Sequence, residues 1–181
     1  MTKHYLEKFE DISTFMFDVD GVLTDGTVGL VPGGEQVRTM YVRDGYALQL
    51  AVKMGYRIVI ITGGSSQEVK ERLLKLGVKD IFLGVDNKLE VFNQYMSKNE
   101  LEKSEVLYMG DDIPDYLVMK KVGLAVCPSD ADHEIKNISD YASEKRGGNG
   151  CVRDIIEKVM RVQGKWFTED EQEEKFKKFF W

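Results

Sequence analysis

Phe15-Met16-Phe17-Asp18-Val19-Asp20-Gly21-Val22-Leu23-Thr24 is an apolar run that stops on two carboxylates placed two apart and then turns at a glycine. Its unbroken apolar start predicts a strand covered on both faces, the kind found in parallel sheets. A carboxylate at the end of such a strand is costly unless a cation or a donor meets it. Four further apolar runs, 57–62, 81–84, 106–110 and 124–127, alternate with segments of helical spacing at 47–54, 66–76, 88–97 and 113–122. That alternation predicts an α/β fold, a three-layer, Rossmann-like, doubly wound parallel sheet. Such sheets bind ligands beyond the carboxyl ends of their strands, where Asp18, Asp20, Thr62 and Asp111 fall.

One segment breaks the alternation. Residues 27–42 have strand-like composition on both sides of Pro32-Gly33-Gly34, which predicts a β-hairpin inserted after the first strand. A closing helix follows the loop Gly147-Gly148-Asn149-Gly150, because Val152, Ile155, Ile156, Val159 and Met160 recur at helical spacing. The expected organisation is a domain over 1–164 and a tail over 165–181. In that tail Thr168 and Glu171 have the spacing of a capping box, followed by Phe176, Phe179, Phe180 and Trp181. Those aromatics at a chain end are expected to pack on a neighbouring subunit.

The chain has 181 residues and a formal net charge of −6, which argues against non-specific binding to nucleic acid. No stretch approaches the roughly 20 apolar residues of a membrane span, and residues 1–10 lack a signal-peptide core, so a cytoplasmic location is expected. Cys127 and Cys151 lie far apart and read as small buried apolar residues rather than as ligands of zinc or partners in a disulfide.

Four elements carry chemistry. Asp18 and Asp20 suit a nucleophile and a general acid/base, with a divalent cation supplying the missing counter-charge. An ordinary Asp-Gly turn would use the same residues. In Ile58-Val59-Ile60-Ile61-Thr62-Gly63-Gly64-Ser65, the Thr62 hydroxyl and the following amides, Gly63 first, are placed to hold a phosphate oxygen, while Ser65 or Ser66 caps the next helix. Lys88 sits at a helix N-terminus, against the macrodipole, which is unfavourable unless it reaches an anion. Gly110-Asp111-Asp112-Ile113-Pro114-Asp115 puts three carboxylates past a strand end. A helix cap needs only one of them, and hard cations take oxygen ligands.

In order and completeness these elements resemble the four motifs of the haloacid dehalogenase superfamily, over about residues 13–163. The resemblance implies Asp18 as nucleophile, Asp20 as acid/base, Thr62 and Gly63 as phosphate ligands, and Lys88 as partner of phosphate and nucleophile. It also implies Mg²⁺ held by Asp18, Asp111 and the backbone carbonyl of Asp20, with Asp112 and Asp115 in support. An acid at position 20 is similar to the phosphatases of the superfamily rather than to its transport ATPases. A phospho-receiver module would instead place its acid pair before a phosphorylated aspartate on the third strand, and 81–84 ends without one.

Most members carry a cap domain, but only the hairpin lies between Asp20 and Asp44, and one helix and one strand fill 62–88. The chain is similar to the capless subfamily, in which hairpins join four subunits and neighbours cover each active site. The echoes are Asp20-Gly21-Val22-Leu23-Thr24-Asp25-Gly26, Val42-Arg43-Asp44-Gly45-Tyr46, Gly110-Asp111-Asp112 and Arg146-Gly147-Gly148-Asn149-Gly150 with Val152-Arg153. Cys151 departs from the alanine of the family's Gly-Gly-x-Gly-Ala run. The implied substrate is a small phosphate ester of a 2-keto-3-deoxy sugar acid, of eight carbons or, as the alternative, nine. Arg43, Asp44, Arg72 and Lys75 are the implied substrate-binding residues. Arg72 and Lys75 have an equal explanation in the helix-stabilising spacings Glu68 to Arg72 and Glu71 to Lys75. Gly64 departs from the Arg or Glu that relatives place after Thr-Gly.

Overall fold

The computed structural model describes residues 4–34, 36–169 and 176–181. In chain order the elements are helix α1 (Tyr5–Lys8), strand β1 (Thr14–Phe17), the strand pair β2 (Gly29–Leu30) and β3 (Gln36–Val37), α2 (Val42–Lys53), β4 (Arg57–Ile61), α3 (Gln67–Lys75), β5 (Asp80–Phe82), α4 (Lys88–Lys98), β6 (Val106–Met109), α5 (Tyr116–Met119), β7 (Leu124–Cys127), α6 (His133–Ile138), β8 (Tyr141–Ala142) and α7 (Cys151–Val162). Six strands form one sheet in the order β5-β4-β1-β6-β7-β8, and all five pairings are parallel.

Alternation along the strands divides the core into two layers. Phe15, Phe17, Ile58, Ile60, Leu107 and Met109 face one side with Leu48, Val69, Leu73, Ile156 and Val159 from α2, α3 and α7. Met16, Val59, Ile61, Val106 and Tyr108 face the other with Phe92, Val118 and Ile135 from α4, α5 and α6. Strands covered on both faces need apolar residues at every position, which is why β1, β6 and β7 read as unbroken runs.

The structure corrects several boundaries. The hairpin pairs only Gly29 with Val37 and Leu30 with Gln36, far less than the span 27–42. Helix α2 begins at Val42, not 47, because Asp44 in its first turn is held from outside: Oδ1 accepts from Arg153 N at 2.7 Å and Oδ2 from Gly150 N at 3.3 Å. The helix expected over 113–122 shortens to a 3₁₀ turn, Ile113–Asp115, and α5. The pairing of Thr168 with Glu171 lies outside the described residues.

The aromatic end lies against its own chain, with Phe179 buried while Phe180 and Trp181 stay largely exposed. Phe179 is buried against the α2 and α7 layer, Tyr46 Oη donates to Phe179 O at 3.0 Å, Lys53 Nζ donates to Phe180 O, and Trp181 meets Tyr46 edge-on. Phe167 and Phe176 complete the cluster.

Candidate active site

Strand β1 lies at the centre of the sheet, and its carboxyl end brings Asp18 between the ends of β4 and β6. The Asp18 amide continues the ladder by donating to Met109 O at 3.1 Å, and its Oδ1 accepts from Val19 N at 2.7 Å. Its Oδ2 lies 2.9 Å from Lys88 Nζ, the ammonium brought in by the first residue of α4. Lys88 is buried at its helix N-terminus, and the anions that overcome the macrodipole there are Asp18 and Asp115, the latter at 2.7 Å.

Asp115 anchors the cluster. Its Oδ1 accepts from Lys88 and from Tyr108 Oη at 2.6 Å, and its Oδ2 accepts from Asp111 N at 3.1 Å. Carboxylate oxygens of Asp18, Asp111 and Asp115 lie within 4.8 Å of one another, with one ammonium among three acids. Burial, then repulsion from Asp115, pushes the Asp18 carboxyl up to about 6, against the pull of Lys88. Burial, then repulsion from Asp18 and Asp115, pushes Asp111 up to about 7. Among the described residues no group donates to the Asp111 carboxylate. This surplus of half-covered negative charge fits a hard divalent cation with oxygen ligands. Asp115 already accepts from three donors, so of the three acids Asp18 and Asp111 have the most acceptor capacity left for an ion. Asp112 stands apart: it is exposed and accepts from Ile113 N at 2.7 Å, so it caps the 3₁₀ turn.

Gly21 has φ +88°, and a Cβ there would sit 1.9 Å from Asp111 Oδ2, so the turn after β1 brings backbone directly against the second acid. The Gly147 loop covers that turn as closely, since a Cβ on Gly147 would lie 1.9 Å from Gly21 O. Thr62 is buried at the end of β4, with its Oγ1 accepting from Gly64 N at 3.1 Å, and Ser66 caps α3 by accepting from Val69 N.

The other expected residues divide. A cavity of about 1010 Å³ beside the carboxylates is lined by Asp20, Gly63, Gly64, Glu68 and Arg72. Lys75 is exposed and absent from that lining, and Glu68 accepts from Ser66 Oγ at 2.8 Å, with no ion pair from Lys75 or Arg72 to Glu71 or Glu68 among the described residues. Asp44 is buried in its capping role, and burial pushes its carboxyl up to about 6. Arg43 lines a separate depression with Arg153. The residue that sequence reasoning missed is Arg38, which follows β3: its Nε donates to Asp20 Oδ1 at 2.6 Å and its Nη2 to Oδ2 at 3.1 Å. No spacing rule marks a lone arginine in a short hairpin.

The fold and this arrangement of acids, lysine and threonine define a hydrolase class, and the sequence agrees: the profile of the haloacid dehalogenase-like hydrolases matches residues 36–128. The chain belongs to that family. Among its relatives, the 3-deoxy-D-manno-octulosonate 8-phosphate phosphatase of Salmonella typhi is 36% identical over 165 residues, covering 91% of this chain and 88% of its own. The phosphatase of the same name from Escherichia coli K12 is 36% identical over 88% of this chain and 85% of its own. Among solved structures, the 3-deoxy-D-manno-octulosonate 8-phosphate phosphatase of Yersinia pestis superposes with a TM-score of 0.86 at 29% identity, covering 88% of this chain and 86% of that one. The Moraxella catarrhalis phosphatase of that name, solved with a magnesium ion, a phosphate ion and KDO, gives 0.85 at 34% identity over 88% of this chain and 91% of its own.

Proposed function

We propose that this chain is a Mg²⁺-dependent phosphatase that hydrolyses 3-deoxy-D-manno-octulosonate 8-phosphate to the free sugar acid, KDO, and phosphate, a step in making lipopolysaccharide precursors. The observation that carries the reading is the buried Asp18–Lys88–Asp115 chain beside Asp111, in a protein with relatives of that name at 36% identity over most of its length.

In this reading Asp18 attacks phosphorus and carries the phosphoryl group as an aspartyl phosphate. Lys88 holds the attacking carboxylate in place and, with the Thr62 hydroxyl and the Gly63 amide, takes the phosphoryl oxygens. Asp20 protonates the departing sugar oxygen and then takes a proton from the water that cleaves the intermediate. Mg²⁺, held by Asp18, Asp111 and the Asp20 carbonyl, would neutralise the acids and the phosphoryl charge. Asp115 does not react; it fixes Lys88 and the Asp111 backbone.

Exposed apolar surface supports a homotetramer in which neighbours cover the cavity: Leu30 and Val37 of the hairpin and Val42 at the start of α2 are 81%, 53% and 62% exposed, more than a small monomer usually leaves to water. A cytoplasmic site of action fits the absence, among the described residues, of any helix long and apolar enough to cross a membrane.

The decisive measurement is kcat/KM on the eight-carbon phosphate and on nine-carbon 2-keto-3-deoxy and N-acylneuraminate phosphates, with and without Mg²⁺. A clear preference for the eight-carbon ester is expected. A preference for a nine-carbon ester would move the substrate and leave the chemistry standing.

A further inference from the structure

Arg38 occupies a position that the mechanism does not use. Its side chain is only 9% exposed, although it springs from a hairpin whose other residues are mostly in water. The guanidinium grips both oxygens of Asp20, with Gln36 Oε1 steadying Nη2 at 3.4 Å. Such a fork is a strong and directional bond. While it holds, both Asp20 oxygens are occupied as acceptors, so Asp20 must leave the fork and take up a proton from solvent before it can give one to the leaving oxygen.

Gly64 makes this contact possible. A Cβ at that position would stand 3.3 Å from Asp20 Oδ2 and 3.7 Å from Arg38 Nη2, so any longer side chain would compete for the guanidinium's space. The cavity next to it has two faces of different character. The phosphoryl end is served by Lys88 and Thr62, which do not line the cavity, and by Gly63 at its edge, whereas the cavity's own charged side chains are Arg38 and Arg72 with the acids Asp20 and Glu68. With Asp20 held by Arg38 and Glu68 as the remaining acid, a substrate whose phosphate reached Asp18 would have its organic part beside Arg38 and Arg72, a setting suited to a second anionic group on that part.

Building on the function proposed above, we propose that Arg38 is a specificity-determining latch: its guanidinium holds Asp20 in the free enzyme and transfers to the carboxylate of a bound sugar-acid phosphate, which frees Asp20 to act. The exchange replaces one carboxylate partner with another, so the anionic substrate releases the latch at little cost. A phosphate ester without a second anion must break the fork with nothing to replace it. That difference is worth about tenfold to a hundredfold in an equilibrium constant.

The test compares full-length wild type, Arg38→Gln and Arg38→Lys on 3-deoxy-D-manno-octulosonate 8-phosphate and on p-nitrophenyl phosphate, and measures inhibition by the free sugar acid. Arg38→Gln is expected to lose at least tenfold in kcat/KM on the sugar-acid phosphate, chiefly through KM, and to gain severalfold in kcat on p-nitrophenyl phosphate. Inhibition by the free sugar acid should weaken about tenfold. Arg38→Lys, which keeps the charge but loses the fork, should fall between the two. A parallel fall on both substrates would reduce Arg38 to a structural residue, and an unchanged kcat/KM on the sugar-acid phosphate would overturn the transfer. If wild type fails to favour the sugar-acid phosphate, the proposed substrate fails, while the rise on p-nitrophenyl phosphate still decides whether Arg38 restrains Asp20.

Discussion

Removing divalent metal should reverse the usual pH dependence of this protein's stability. Asp18 rises from 3.8 to about 6 and Asp111 to about 7, so the folded chain keeps protons that the unfolded chain has released between about pH 4 and pH 7. The unfolded state then binds fewer protons than the native state, and stability must fall as pH rises through that window. For Asp18 the rise is roughly 2 pH units, which at 1.36 kcal/mol each amounts to about 3 kcal/mol lost by neutral pH. Asp111 acts in the same direction but titrates together with Asp18, so the two losses do not simply add. Mg²⁺ must displace those protons to bind, and its stabilisation therefore grows as pH rises. Urea unfolding, followed by the fluorescence of buried Trp166, should show a stability that drops from pH 5 to pH 7 in EDTA and a much flatter profile in saturating MgCl₂. A residual slope with metal present should come from Asp44, raised to about 6 by burial away from the cluster, and should vanish in Asp44→Asn. A metal-free profile that is flat or rising between pH 5 and 7 would refute the account of the cluster as undercompensated charge.

Asp115→Ala leaves Lys88, Tyr108 Oη and the Asp111 amide without their shared acceptor and should cost about 3–5 kcal/mol in urea unfolding, with loss of turnover. Asp18→Asn should keep the wild-type circular dichroism spectrum while turnover falls by about a thousandfold or more, the loss expected when a covalent nucleophile is removed. Gly21→Ala drives a methyl into Asp111 at a positive φ, so Mg²⁺ affinity measured by calorimetry should weaken together with activity. Phe179→Ala should lower stability by about 3 kcal/mol in thermal unfolding, by emptying the site under the chain end while sparing turnover of p-nitrophenyl phosphate.

The parallel sheet was legible because central strands buried on both faces leave unbroken apolar runs, and the motif residues were legible because each sits where a strand ends. Strand β8 left no such trace: Tyr141–Ala142 is a two-residue edge strand that, among the described residues, pairs with β7 alone. The start of α2 was hidden because Asp44 and Gly45 are poor helix formers, and their place in the helix is set by α7, distant in sequence. Asp112 and Asp115 looked alike in the sequence, yet the 3₁₀ turn exposes the first and buries the second. Arg38 was invisible for a similar reason, since its partner Asp20 lies on the far side of a loop whose path no local pattern dictates.

The close seat of Gly147 on Gly21 ties the turn after β1 to a segment made late in synthesis. The turn that carries Asp20 is packed by a loop made only after every strand of the sheet, and Gly148 N fastens the same loop by donating to Val22 O at 2.9 Å. A nascent chain that has released β1, β4, β5, β6 and β7 from the ribosome already holds Asp18, Thr62, Lys88 and Asp111, but the turn after β1 still lacks the backbone that packs against it. Phosphoryl transfer is therefore expected only as the last fifth of the chain emerges, and chains that stall before residue 147 should be inert in an assay with p-nitrophenyl phosphate.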